Sequence, residues 1–314
     1  MTDTPQSKGR ILVSPRSLTK GSHPALARLT DGGYTIVRTP EGRHPSPDEL
    51  QKLLPGCVGY IAGVEPVSGD LLRSASDKLR VISRNGTGVD NIDLAATKDL
   101  GIQVLNAAGA NARSVAELTW GLLLSLARSI PAADAIIKQG KWQRFPGIEL
   151  QNRRLGVIGC GNVGKIVAGY GAAFGMKVRA YDPFPDTQSG IDFTSLENLL
   201  ASSDIITLHC PPSNKPIIGA TELATIPAGT LLINTARADL IDDSAVLAAL
   251  DSGQLDGYAT DVFPTEPPSP GDPLANHPKV IASPHTGAFT KEAIDRAAVV
   301  AVQQLLDALE HRVP

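Results

Sequence analysis

Three short stretches of this chain carry side chains that could together move a hydride and a proton. Thr235-Ala236-Arg237 follows the apolar run Leu231–Asn234, Asp261-Val262-Phe263 and then Glu266 follow Tyr258–Thr260, and Pro284-His285-Thr286-Gly287 follows Val280–Ser283. An arginine grips a carboxylate with two parallel hydrogen bonds. A histidine gives or takes a proton near neutral pH, and a neighbouring acid orients and stabilises the imidazolium. That set suits interconversion of a 2-keto acid and its 2-hydroxy acid. Arg237 would be the substrate anchor, His285 the acid/base and Glu266 its partner. The plainer alternatives are a surface arginine, a solvated loop acid and a structural histidine.

A second set suits the hydride carrier. Gly159-Cys160-Gly161-Asn162-Val163-Gly164 directly follows the apolar run Leu155–Ile158 and opens a helical stretch. Strand, glycine loop and helix together form the fingerprint of a dinucleotide site. The first glycine allows the tight turn, the second lets the backbone approach a pyrophosphate, and the third allows close helix–strand packing. Asp182 ends the next apolar run, 182 − 164 = 18 residues on, near the spacing of roughly 20 at which an acid reads the ribose hydroxyls. A carboxylate there repels a 2′-phosphate, and Pro183-Phe184 brings no cation beside it, so the expected cofactor is NAD.

These residues need a scaffold that ends its strands on one edge. Apolar runs at Ile11–Ser14, Tyr34–Arg38, Val58–Ala62, Arg80–Ser83 and Ile102–Asn106 alternate with helical stretches at 24–30, 69–76 and 91–99. A long helix is predicted over 112–129, with Val115, Leu118, Trp120, Leu122, Leu123, Leu124 and Leu126 forming a wide stripe and Pro131 ending it. Six further strands, at 155–158, 177–181, 205–208, 231–234, 258–260 and 280–283, alternate with helices in the second half. Continuous apolar strands separated by helices mean parallel sheets covered on both faces. The expected fold is therefore α/β, with two doubly wound parallel-sheet domains: a Rossmann NAD domain and a flavodoxin-like substrate domain. The helix at 291–310 comes after all six strands and is expected to return to the first unit. The boundaries are 1–107 with 288–314 for the discontinuous substrate-binding domain, and 108–287 for the NAD-binding domain.

The length of 314 residues fits two cores. A net charge of −3 without a basic block gives no footprint for nucleic acid or an anionic membrane. No apolar run approaches the roughly 20 residues of a membrane helix, and Met1–Arg10 lacks an apolar signal core. A cytoplasmic protein is expected. Cys57, Cys160 and Cys210 are odd in number and lack C-x-x-C spacing, so they indicate neither a disulfide framework nor a zinc site, and no metal is expected.

The same motifs resemble the D-isomer-specific 2-hydroxyacid dehydrogenase family, and within it the phosphoglycerate dehydrogenase-like members. The resemblance runs through Asn85–Asp93, Asn106–Glu117, Gly156–Gly164, Asn234–Arg237, Asp261–Pro267 and Ser283–Gly287, nearly the whole chain. It implies the roles given above for Arg237, Glu266 and His285. It further implies cofactor contacts at Asn162, Val163, Asp182, Thr235, Ala236 and Asp261 and around His285 to Ala288, including Gly287. It also implies a homodimer, expected here through the helix near 112–129. Substrate contacts are implied for the loop after the third strand, Gly63-Val64-Glu65-Pro66, and for the Asn85–Asp93 stretch that includes Gly86. Val64 and Glu65 depart from the Arg/Ser-type pattern of phosphoglycerate-specific members, and an acid suits a phosphate poorly. The stretch read here carries no regulatory domain after residue 314, a second expectation against phosphoglycerate. Arg84 and Lys141 remain candidate anion partners. The expected substrates are small D-2-hydroxy acids and their keto forms: phosphoglycerate, hydroxypyruvate, glyoxylate or similar. Two alternatives stay open. One is a corepressor-like binding protein that senses NAD, and the other is a phosphite- or formate-type dehydrogenase of the same fold. Glu266, where a formate enzyme is expected to carry Gln, argues against formate.

Overall fold

A computed structural model describes residues 7–21 and 23–311; the outer ends of the expected domain segments, 1–6 and 312–314, lie outside them. The chain divides into two units, Met1–Asn111 with Lys291–Pro314, and Ala112–Thr290. The breaks fall a few residues past the expected 107 and 287.

The first unit is built on five parallel strands: β1 (Arg10–Val13), β2 (Thr35–Arg38), β3 (Cys57–Ala62), β4 (Val81–Arg84) and β5 (Gln103–Asn106), in the order β2-β1-β3-β4-β5. This is the flavodoxin-like order. Every residue of the central strand β3 is buried, which explains its unbroken apolar run. The helix Lys291–His311 covers one face. Its Ala298, Ala301, Val302 and Leu305 share a core with Ile11, Val13, Ile61 and Val81, so the chain's end completes the unit that its beginning started.

The second unit holds β6 (Arg154–Ile158), β7 (Lys177–Tyr181), β8 (Asp192–Phe193), β9 (Ile205–Leu208), β10 (Thr230–Asn234), β11 (Leu255–Thr260) and β12 (Val280–Ala282). All pairs are parallel, in the order β12-β11-β10-β9-β6-β7-β8. Seven strands stand where six were expected. The addition, β8, is a two-residue edge strand too short to leave a periodic signal. The strand order reverses between β6 and β9, and the carboxyl ends there form the crevice where doubly wound sheets bind ligands.

The helix Ala112–Arg128 packs within this unit. Ala116, Trp120, Leu122, Leu123 and Ala127 are buried against Leu155, Val167 and Ile233, and Trp120 stacks on Phe174 with centroids 4.6 Å apart. The apolar stripe of this helix is thus largely taken up by the core of its own unit. Pro131 does not end helical structure there either. The break is at Ser129, in the left-handed region at φ 50°, and a new helix, Ile130–Lys138, starts with Pro131 in its first turn, where no amide hydrogen is needed. None of its residues is buried, and Ile130, Ile137 and the following Trp142 are exposed. Among the described residues no single helix is long and apolar enough to cross a membrane.

Candidate active site

The glycine loop leaves β6 and enters the helix Asn162–Ala173. Gly159 has φ 86°, and a Cβ on it would lie 2.7 Å from the backbone nitrogen of Cys210, while one on Gly164 would lie 2.0 Å from the Gly159 carbonyl oxygen. A Cβ on Gly161 would meet nothing within 4 Å. Gly159 and Gly164 are therefore fixed by packing, whereas Gly161 fronts open space where a phosphate can approach the backbone. Asn162 and Val163 form the first turn of the helix beside it, where unpaired amides favour an anion. The Asp182 carboxylate is fixed by two amides, accepting from Cys160 N at 2.8 Å and from Phe184 N at 2.9 Å. Each oxygen keeps a lone pair for a ribose hydroxyl.

Pro183-Phe184 carries no cation beside Asp182. The structure does bring one, from the helix rather than from the 183–184 stretch. Lys165 lies in electrostatic range of Asp182, with its ammonium 2.7 Å from Asp186.

After β10, the fully buried Asn234 pins the turn that presents the anchor. Its amide nitrogen donates to the Arg237 carbonyl at 2.8 Å, and its side-chain oxygen accepts from Ala236 N at 3.0 Å. Thr235 is buried, with its hydroxyl 2.8 Å from that of Thr119, which in turn bonds the Val115 carbonyl at 2.8 Å. Arg237 is half-buried and donates to the Ala236 carbonyl. A depression next to it is lined by Asp239, Asp242 and Asp243 as well as Phe263. Three carboxylates make it a poor seat for an acid, and the anchor role does not rest on it.

Beyond β11 and β12 the histidine is held from two sides. Nδ1 of His285 meets both oxygens of Glu266, at 2.9 and 2.8 Å, and Glu266 also accepts from Phe263 N at 3.1 Å. The histidine itself sits in the left-handed region at φ 50°, which costs a non-glycine residue about 1 kcal/mol and needs external support. Asp261 supplies it. This carboxylate, 1% exposed, accepts from Ser283 Oγ at 2.6 Å, Thr286 N at 2.8 Å and Gly287 N at 2.7 Å. A Cβ at Gly287 would come within 3.0 Å of the same carboxylate, so glycine lets it approach, and the Gly287 carbonyl accepts from Ser114 at 2.6 Å. Asp261 and Gly287, expected among the cofactor contacts, brace the turn that aims His285.

His209, at the end of β9, bonds Thr207 at 2.9 Å, and burial pushes its pKa down to about 3, so it stays neutral. Burial also raises the Cys57 and Cys160 thiols and pushes Cys210 up to about 11, which leaves all three as poor nucleophiles at neutral pH.

In the first unit, Glu65, named among the candidate substrate contacts, turns into the protein interior. It is 3% exposed, and its carboxylate accepts from Ser14, from Tyr60 Oη at 2.5 Å and from Gly63 N at 2.8 Å. Asn91 donates to the carbonyls of Gly63 and Glu65 at 3.1 and 2.6 Å. Glu65 is thus an interior clamp for its own loop, and the side chain left outside is Val64, 54% exposed. Gly86 follows β4, with its amide donating to Arg84 O at 2.8 Å and its carbonyl accepting from Ala107 N at 2.9 Å.

A doubly wound sheet with this loop and acid defines a dinucleotide-binding protein. The sequence model described as D-isomer specific 2-hydroxyacid dehydrogenase, NAD binding domain, matches residues 120–287. The chain is 41% identical to the D-3-phosphoglycerate dehydrogenase of Rattus norvegicus over 288 residues, 89% of this chain and 53% of that protein. It is 39% identical to the hydroxypyruvate reductase of Thermotoga maritima over 274 residues, 85% of this chain and 89% of that one. A crystal structure of a glyoxylate reductase from Paecilomyes thermophila superposes with a TM-score of 0.87 at 25% identity, covering 98% of this chain and 96% of that one. The chain spans about half the length of the mammalian relatives it matches. It belongs to the D-isomer-specific 2-hydroxyacid dehydrogenase family, and its cofactor is NAD.

Proposed function

We propose that this chain interconverts a small D-2-hydroxy acid and its 2-keto acid by NAD-dependent hydride transfer, as a cytoplasmic enzyme. The observation that carries the reading is the Glu266–His285 pair, held in one unit with a dinucleotide loop. A carboxylate cannot donate, so Nδ1 of His285 bears hydrogen and Nε2 is the nitrogen left for substrate. In the reducing direction, Arg237 holds the substrate carboxylate. NADH, when bound, supplies the hydride that adds to C2. The carbonyl π electrons move to oxygen, and protonated His285 delivers the Nε2 proton there, ending neutral with its Nδ1–H still on Glu266.

Two observations favour an unphosphorylated substrate of the hydroxypyruvate or glyoxylate kind. The 63–66 loop turns a valine outward, and no lysine or arginine lies in it; Glu65, being interior, does not bear on the choice. Val64 and Gly86 stay candidates for substrate contact, and Asn162, Val163, Thr235 and Ala236 for cofactor contact. A homodimer is part of the reading, with its contact moved from the 112–129 helix to the exposed apolar side chains Ile130, Ile137 and Trp142.

The test is NADH oxidation against glyoxylate, pyruvate, hydroxypyruvate and a phosphorylated keto acid, with chiral analysis of the product. Turnover of one or more to the D-hydroxy acid is expected. Tight NADH binding without turnover of any would favour a binding protein instead.

A further inference from the structure

The loop that follows Asp182 carries a second acid, and its position suggests a use. Lys165 stands in the first turn of the helix that the glycine loop opens, and its ammonium meets Asp186 Oδ2 at 2.7 Å. Asp186 is not a loosely waving side chain. Its other oxygen accepts from Gln188 N at 3.1 Å, and its carbonyl accepts from Ser189 Oγ at 2.6 Å, so the 186–189 turn is closed around it. Lys165 lies within electrostatic range of Asp186, Asp182 and Cys160. The hydrogen bond and charge of Asp186 raise Lys165, with Cys160 and Asp182 adding to this, and Lys165 in turn lowers Asp186. Cys160 also gives its amide to Asp182. A cation therefore sits within electrostatic range of the acid assigned to the ribose hydroxyls, where a 2′-phosphate would seek one.

We propose that Asp186 is a cofactor-discriminating residue: by tying Lys165 into an ion pair, it withholds that ammonium from the 2′-phosphate of NADP, so that exclusion by Asp182 goes uncompensated. This rests on the assignment of NAD to the glycine loop. An ammonium on a flexible stem turns readily toward whichever anion is nearest. With Asp186 present, that anion belongs to the protein. Without it, the nearest multivalent anion would be the phosphate of a bound NADP. The pair is exposed, so the effect is modest and weakens as salt screens it.

The experiment is a double-mutant cycle read by the dissociation constants of NADH and NADPH, measured by fluorescence titration at low and high ionic strength. Asp186→Asn keeps an oxygen for the Gln188 amide while removing the charge. It should tighten NADPH relative to NADH by about fivefold at low salt, the scale of an exposed charge pair. Lys165→Met should change NADPH binding little in the parent protein but weaken it about fivefold in the Asp186→Asn background, because only there is the ammonium available. Equal effects of Lys165→Met in both backgrounds would show simple addition of charges and overturn the proposal. An Asp186→Asn protein with an unchanged NADPH to NADH ratio would also overturn it. A parent protein that binds neither nucleotide would overturn the NAD assignment itself.

Discussion

Both carboxylate oxygens of Glu266 face Nδ1 of His285, at 2.9 and 2.8 Å, so the ring's tautomer and direction are set by the acid. Glu266→Gln can still accept the Nδ1–H but carries no charge to stabilise an imidazolium. Hydrogen bonds to charged groups are worth about 1.5–3 kcal/mol. Loss of that stabilisation should lower kcat for keto-acid reduction by roughly ten- to a hundredfold, with NADH affinity little changed. Steady-state kinetics on the purified variant check this, and an unaltered kcat would return Glu266 to a solvated loop acid.

Asp261 should matter through His285 rather than by contact alone. Its buried carboxylate takes two amides and a hydroxyl from the 283–287 turn. In Asp261→Asn one acceptor oxygen becomes a donor that faces another donor, and a stranded buried partner costs about 1–3 kcal/mol. We expect a loss of unfolding free energy of that size in urea titration, together with a drop in kcat larger than any rise in the KM for NADH. Loss of stability with unaltered kcat per folded molecule would make Asp261 a structural residue alone.

Much of the scaffold was legible because buried parallel strands write continuous apolar runs, as Cys57–Ala62 and Thr230–Asn234 do. The glycine loop and Asp182 were legible because their functions depend on spacing along one strand–loop–helix unit. What escaped depends on contacts that spacing does not encode. Glu65 turns inward because Ser14 and Tyr60 arrive beside it from neighbouring strands. Lys165 reaches Asp186 across 21 residues, and the one available signal was a basic residue in the first turn after the loop. The helix Ile130–Lys138 was missed because Pro131 reads equally as a stop or as a first-turn residue, and only the left-handed Ser129 decides between them.

The exposed helix makes a prediction about assembly. Ile137→Glu and Trp142→Arg place charge on side chains that are 54% and 81% exposed, so a single copy should tolerate both with a stability change within about 0.5 kcal/mol. If these side chains are covered by a second copy, sedimentation should show a dimer for the parent protein and a monomer for the double variant. A parent protein that stays monomeric at tens of micromolar, as an order of magnitude, would remove the dimer from the reading.

The central claim is that His285 delivers the proton while the rest of its unit holds NADH. Single-turnover oxidation of bound NADH by an accepted 2-keto acid, in the parent protein and in His285→Asn, tests it most directly when the NADH dissociation constant is measured on the same samples. The rate should be lower by about 10²–10⁴-fold in the variant, with NADH affinity within about twofold of the parent. A variant that turns over at close to the parent rate, or one that loses NADH binding along with its rate, would contradict it.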